Sequence, residues 1–149
     1  DSKSSGMADF ESCIVSEPCA EGSTKDCHRI CSLPASSFDV VIMSLVLSYL
    51  PTPEKRYAIL VHARKFLKPD GLLQLVIAKS VAPNRTRSVV LRNWREAIEG
   101  IGFALERDFD DSPQGGIVVT FRAVNVREAS GDASLMRISN EIPEFRMST

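Results

Sequence analysis

The chain has 149 residues, 44% of them hydrophobic, which is enough for one domain with a real core; its formal net charge of −1 excludes a protein that binds polyanions with its whole surface. No apolar run approaches the ~20 residues of a membrane span, and the opening DSKSSGMADF lacks the apolar segment of a signal peptide, so the default expectation is a cytoplasmic or nuclear/nucleolar protein. The charge is uneven, because residues 53–96 carry 10 basic and 3 acidic side chains; this basic middle could face RNA or an acidic partner, and its simpler reading is the wet faces of two helices.

In chain order, residues 1–7 read as a flexible leader rich in Ser and charge. The segment from Ala8, ADFESCIV, has some strand or turn character, and Glu17 to Ser32 mixes turn formers with no period, so it reads as a surface connection. All four cysteines, Cys13, Cys19, Cys27 and Cys31, lie here. Cys27-His28-x-x-Cys31 invites a zinc reading, but there is no Cys-x2-Cys pair and the intervals fit no common zinc module, so reduced thiols and no metal are expected.

The stretch FDVVIMSLVLSYLP, Phe38 to Pro51, organises the rest. Consecutive Val, Ile and Met predict a buried parallel strand covered on both sides. Thr52 as cap, Pro53 at the first position and Glu54 at the positive end predict a helix from Pro53 to about Lys68, with Tyr57, Leu60, Val61 and Leu67 on its buried stripe and Lys55, Arg56, Arg64 and Lys65 mostly off it. Pro69-Asp70-Gly71 turns the chain into a second buried strand, Leu72 to Ala78. Thr86 to Glu99 reads as a helix with Trp94 as a core anchor, closed by Gly100 and Gly102. Strands follow at Phe103–Phe109 and Ile117–Val124, around the loop SPQGG. The order is β-α-β-α-β-β, and ligands of such sheets bind at the carboxyl ends of the strands, here Met43 to Tyr49. Residues 125–149 have little period and read as a mobile, disordered tail.

Several segments together carry a resemblance. They are Asp9-Phe10, LPxxSFDVVxxSLxLSYLPxPxxR from Leu33 to Arg56, FLKPDGLL, Asn84-Arg85, and LRNWREAIEGIGF from Leu91 to Phe103. Residues 8–124 resemble the carboxyl-terminal part of the SAMTOR / large-subunit rRNA adenine-N1 methyltransferase family, whose members include the S-adenosylmethionine sensor of the target-of-rapamycin pathway. The resemblance implies an α/β, Rossmann-like class I methyltransferase fold, with strand order 3-2-1-4-5-7-6 and an antiparallel last strand, of which the first strands are missing here. It implies S-adenosyl-L-methionine as cofactor, with Asp9 and Phe10 at the adenine and Ser44, Leu45 and Val46 lining the methionine side. Tyr49, Asn84 and Arg85 would then face a substrate or partner. From the residues alone, Ser44 equally suits a strand end, Asn84 a helix cap and Tyr49 a half-buried core position.

The family's Gly-rich loop after the first strand, and the acidic residue ending the second, have no counterpart; Gly100-Ile101-Gly102 follows a helix. Cofactor binding by this chain alone is therefore expected to be weak or nil, with the Phe38 strand left uncovered. Three functions are compatible with the residues. One is a cofactor sensor acting on regulatory protein complexes of the target-of-rapamycin pathway. Another is an adenine-N1 methyltransferase of ribosomal RNA, and the last is a non-catalytic α/β interaction fragment. No general base is evident, and no catalytic residue is assigned.

Overall fold

A computed structural model describes residues 33–125 and 130–143, together with the backbone of two short strands, β1 (Ser16–Pro18) and β2 (His28–Ile30). β1 and β2 pair antiparallel, so the segment read as an irregular connection contains ladder structure at both ends. Asp9, Phe10 and the cysteines lie outside the described residues.

The main body follows the expected alternation. β3 (Phe38–Ser44) leads through a one-turn helix, α1 (Val46–Tyr49), into α2 (Pro53–Phe66), β4 (Leu67–Ala78), α3 (Arg87–Gly102), β5 (Phe103–Asp111) and β6 (Gly116–Ala123). Thr52 caps α2, its Oγ1 accepting from the Lys55 N–H at 3.3 Å, with Pro53 at the helix start and Arg64 and Lys65 in the last turn. β3 and β4 pair in parallel, and β6 inserts antiparallel between β4 and β5, giving the order β3-β4-β6-β5. This is the 4-5-7-6 portion of the class I order, and the chain adopts that Rossmann-like α/β fold in part. β3 and β4 pair first at Phe38↔Leu67, and regular pairing resumes at Val40↔Leu72 after Lys68-Pro69-Asp70-Gly71 has bulged out. Asp70 takes φ 64 there, and a Cβ on Gly71 would lie 2.9 Å from the Lys68 carbonyl oxygen.

One face of the sheet is sealed. Leu73, Leu75 and Ile77 of β4 and Ile117, Val119 and Phe121 of β6 are fully buried against α2 and α3, whose Leu60, Val90, Trp94 and Ile98 complete the core. On the other face Leu72, Gln74, Val76 and Ala78 are only half-buried. The periodicity-based expectation that the Phe38 strand is covered on both sides fails for this reason, whereas the expectation that the strand is left uncovered agrees with the structure. β3 is an edge strand among the described residues, with Ile42 62% exposed and Val40 48%.

The reading of residues 125–149 as a mobile tail needs correction over 130–143, which form a strap with two 3-10 turns, Ala133–Met136 and Ser139–Glu141. Met136 and Ile142 are buried. The Trp94 Nε1–H donates to the Arg137 carbonyl at 2.9 Å, and the Ser130 N–H to that of Gly100 at 2.9 Å. Gly100 and Gly131 touch, since a Cβ on Gly100 would stand 2.5 Å from the Gly131 Cα. Gly100 therefore serves close approach inside α3, while Gly102, at φ 117, ends the helix.

The strap also explains the second misreading. Arg56 is 1% exposed instead of facing water. It sits four residues before Leu60 and seven before Ala63, on the buried stripe of α2. Its Nη1 donates to the Met136 carbonyl at 2.9 Å and to Glu141 Oε2 at 2.7 Å; its Nη2 donates to the Leu50 carbonyl at 2.8 Å and to Glu141 Oε1 at 3.0 Å. The bidentate geometry suits a guanidinium and a carboxylate.

Candidate functional site

At the carboxyl end of β3 the chain reverses within one residue. Leu45 adopts φ 62, a conformation that costs a non-glycine residue about 1–3 kcal/mol and persists only where its surroundings hold it. They do so here. The Leu45 N–H donates to the Val76 carbonyl at 2.8 Å, the Leu45 carbonyl accepts from the Ser48 N–H at 3.0 Å, and Ser48 Oγ accepts from the Ala78 N–H at 3.1 Å. The result is a rigid rim that presents Ser44, Leu45 and Val46 outward, Leu45 and Val46 being 37% and 39% exposed. Tyr49, one turn further, is 82% exposed and is no core residue.

Beside this rim lies a cleft of about 460 Å³ between α1, the loop after β4 and the strap; Ser48, Ser80, Pro83, Ser139 and Asn140 are among its walls. The strap is stitched to the loop by the Ser139 N–H donating to the Val81 carbonyl at 3.1 Å and by a Thr86 Oγ1–Ser139 Oγ hydrogen bond of 2.9 Å. It is tied to the rim through Arg56, which holds Leu50, the residue after α1, and the strap at once. Ser48 falls within the rim read from the sequence, Met43 to Tyr49, whereas Ser80, Ser139 and Asn140 were missed. Nothing local marks them, although the closing Arg of YLPxPxxR is Arg56, and its helical spacing to Leu60 could have flagged it as buried.

Asn84 and Arg85 are exposed between β4 and α3, where the cap is Thr86, so capping does not account for Asn84. Asn84 opens on a different concavity, a groove of about 520 Å³ between the outer face of α3 and β5. Arg87, Arg92 and Arg95 line it over a floor of Leu91 and Phe109, with Asp108 opposite. Arg87 Nη1 meets Asp111 Oδ1 at 2.8 Å, and Arg95 Nε meets Glu99 Oε1 at 2.9 Å. The Arg87 hydrogen bond holds the Asp111 carboxyl below its ordinary range. Ser44, Leu45, Val46 and Tyr49 thus share one rim, whereas Asn84 belongs to another concavity.

For the cofactor expected from the sequence, the described residues supply one wall: a hydroxyl at a strand end, apolar Leu45 and Val46, and a held backbone turn. That wall suits the aliphatic part of the methionine chain of S-adenosylmethionine. No helix among the described residues is long and apolar enough to cross a membrane.

Comparison with known proteins follows the same line. The S-adenosylmethionine sensor upstream of mTORC1 from Xenopus tropicalis is 41% identical over 71 residues, 48% of this chain and 18% of that protein. Its counterpart from Danio rerio is 39% identical over 72 residues, with the same coverage. The chain therefore spans about 18% of the length of the curated relatives it matches. Among solved structures, the 16S rRNA (adenine(1408)-N(1))-methyltransferase W203A mutant from Catenulisporales acidiphilia superimposes with a TM-score of 0.44 at 16% identity, over 60% of this chain and 51% of that one. A SAM-dependent methyltransferase from Methanosarcina mazei gives a TM-score of 0.36 at 20% identity, over 62% of each chain. Residues 30–119 match the family described as 25S rRNA (adenine(2142)-N(1))-methyltransferase, Bmt2, and with well over half its length inside that match the chain belongs to this methyltransferase family.

Proposed function

We propose that this chain is part of an S-adenosylmethionine-binding protein that reports cofactor level to regulatory complexes of the target-of-rapamycin pathway. The likeness to the curated sensors supports this reading. The observation that carries it is the rim itself. A strained, over-determined turn at Leu45 is what a fold maintains where backbone must stand close to a ligand, and it falls at the carboxyl end of a strand where α/β sheets bind ligands. In this reading Ser44 donates a hydrogen bond at the methionine portion, and Leu45 and Val46 exclude water from it. Asp9 accepts from the adenine amine, Phe10 packs on the ring, and Tyr49, Asn84 and Arg85 meet a partner. Binding alone suffices for a sensor, so no proton transfer is asked of any residue.

A second reading, adenine-N1 methyl transfer to ribosomal RNA, draws on the family match and on the arginine-lined groove. Bound cofactor would supply a methyl group on a sulfonium centre. The chain's residues would position the base, with Tyr49 stacking on it, because adenine N1 attacks without prior deprotonation. The test is calorimetric titration of S-adenosylmethionine into the 149-residue chain and into the same chain extended upstream in its own gene. Binding by the extended form, weakened by Asp9→Ala and by Val46→Asp, supports cofactor recognition; absence of binding in both refutes it. Methyl transfer to an rRNA transcript then separates enzyme from sensor.

A further inference from the structure

α1 is a single turn of four residues, too short to keep its shape unaided, so the rim it carries is only as firm as the contacts that hold it. Leu47 anchors its middle in the core. The sheet fixes its entry, through the Leu45 N–H on the Val76 carbonyl and the Ala78 N–H on Ser48 Oγ. Its exit is held by a side chain from α2, Arg56 Nη2 donating to the Leu50 carbonyl at 2.8 Å. Arg56 does not keep that place alone. Its three other side-chain hydrogen bonds all go to the strap, from Nη1 to the Met136 carbonyl and Glu141 Oε2, and from Nη2 to Glu141 Oε1. A cation only 1% exposed stays where it is while its carboxylate is present; with the strap undocked, water reaches the guanidinium and its hold on Leu50 loosens. The same carboxylate accepts from the Ile138 N–H at 2.9 Å, which sets the turn from which Ile138, Ser139 and Asn140 wall the cleft beside the rim. Glu141 thus governs both the exit of the rim and the wall that faces it.

We propose that Arg56 and Glu141 are positioning residues for the cofactor rim, and that cofactor binding and docking of the strap favour each other. Resting on the S-adenosylmethionine reading above, this makes residues 130–143 the segment whose docking answers to occupancy of the rim. Arg56 is too buried to reach a ligand and acts through the Leu50 carbonyl and α1. Linkage makes the effect reciprocal: the factor by which a docked strap raises affinity is the factor by which bound cofactor favours the docked strap. One charge-assisted hydrogen bond to the exit of the rim sets that factor at about five- to ten-fold.

The experiment titrates S-adenosylmethionine calorimetrically into the chain extended upstream in its own gene, as wild type, Glu141→Ala, Glu141→Gln and Gly71→Ala, with circular dichroism confirming that each folds. Glu141→Ala should weaken affinity about five- to ten-fold at unchanged stoichiometry, whereas a loss of folded protein alone would lower the stoichiometry and leave the affinity as it was. Glu141→Gln keeps one acceptor for Arg56 and should weaken affinity by a smaller factor; it serves as the test if Glu141→Ala does not fold. Gly71→Ala disturbs the amino end of β4, away from rim and strap, and should leave affinity unchanged. Hydrogen exchange of the wild type supplies the reciprocal readout, in which saturating S-adenosylmethionine should slow the amides over 133–143 by a similar factor. Three results overturn the proposal: unchanged affinity in the folded Glu141 variants, an equal loss with Gly71→Ala, or exchange over 133–143 that ignores the cofactor. Each of these leaves cofactor recognition standing, because the wild type still binds. Absence of binding by the extended wild type overturns the proposal together with the reading on which it rests.

Discussion

Replacing Glu141 with Ala tests whether the strap is part of the fold. The guanidinium of Arg56 has five N–H donors, and four are engaged, two by the Met136 and Leu50 carbonyls and two by the Glu141 carboxylate; only Nε–H lacks a partner. Without the carboxylate three donors of a buried cation are unmet, and breaking such a pair from one side costs about 3–5 kcal/mol. The strap can instead peel away and let water reach Arg56. That route gives up the burial of Met136 and Ile142, about 1.5–3 kcal/mol each, and the Trp94–Arg137 hydrogen bond, about 1 kcal/mol. The second route sums to about 4–7 kcal/mol, so the cheaper first route sets the expected loss at about 3–5 kcal/mol. Urea unfolding followed by circular dichroism measures the loss. Fluorescence identifies the route, because Trp94 is the sole tryptophan and bonds to the strap backbone. A change below about 1 kcal/mol, with Trp94 emission and amide exchange over 133–143 unaltered, would refute the reasoning.

The same carboxylate sets a pH dependence. Burial pushes Glu141 up, but the Arg56 guanidinium, the Ile138 N–H and the nearby charges of Arg56 and Arg137 outweigh it and hold the carboxyl below its ordinary value of 4.5. A carboxylate depressed in the folded state contributes stability above its unfolded pKa, and that contribution is lost as pH falls through the lower folded value. Wild type should therefore lose stability below about pH 4.5, and Glu141→Gln should flatten that part of the curve in pH-dependent unfolding. Gly131→Ala should unseat the strap, since its Cβ would stand 2.7 Å from the Tyr57 hydroxyl and 2.8 Å from the Ala97 carbonyl oxygen; increased protease cleavage within 130–143 is the readout. Gly71→Ala presses on backbone oxygens of Lys68 and Asp39 at 2.9 and 3.2 Å and should lower stability by about 1–3 kcal/mol in thermal unfolding. Ile42→Lys, on the open edge of β3, should leave the melting temperature within a few degrees while reducing self-association in light scattering.

Local chemistry made the helices and ladder strands legible. Thr52-Pro53-Glu54 specifies where α2 starts, the period of Val90, Trp94 and Ile98 specifies the face of α3, and the runs at Val40 and Leu72 specify strands. The strand-end rule for α/β sheets supplied the rim, Met43 to Tyr49, and the family wording supplied the roles expected there of Ser44, Leu45 and Val46. What was misread depends on residues distant in sequence. Arg56 looked like a solvated cation because its carboxylate lies 85 positions away, and residues 130–143 looked unstructured because their few apolar side chains find cover only under α2 and α3. The apolar run at Ile42 reports a preference for cover without saying which layer provides it, and the exposed strand was legible only from the family pattern, as the expectation that the Phe38 strand is left uncovered. The sequence by itself thus determined α2, α3 and the strands β3 to β6, their order and the family, because caps, turns and periods act within a few residues. Only the tertiary structure decided which polar groups are buried together, which sheet face is open and which side chains share a cleft, because those outcomes turn on contacts between segments that no local pattern encodes.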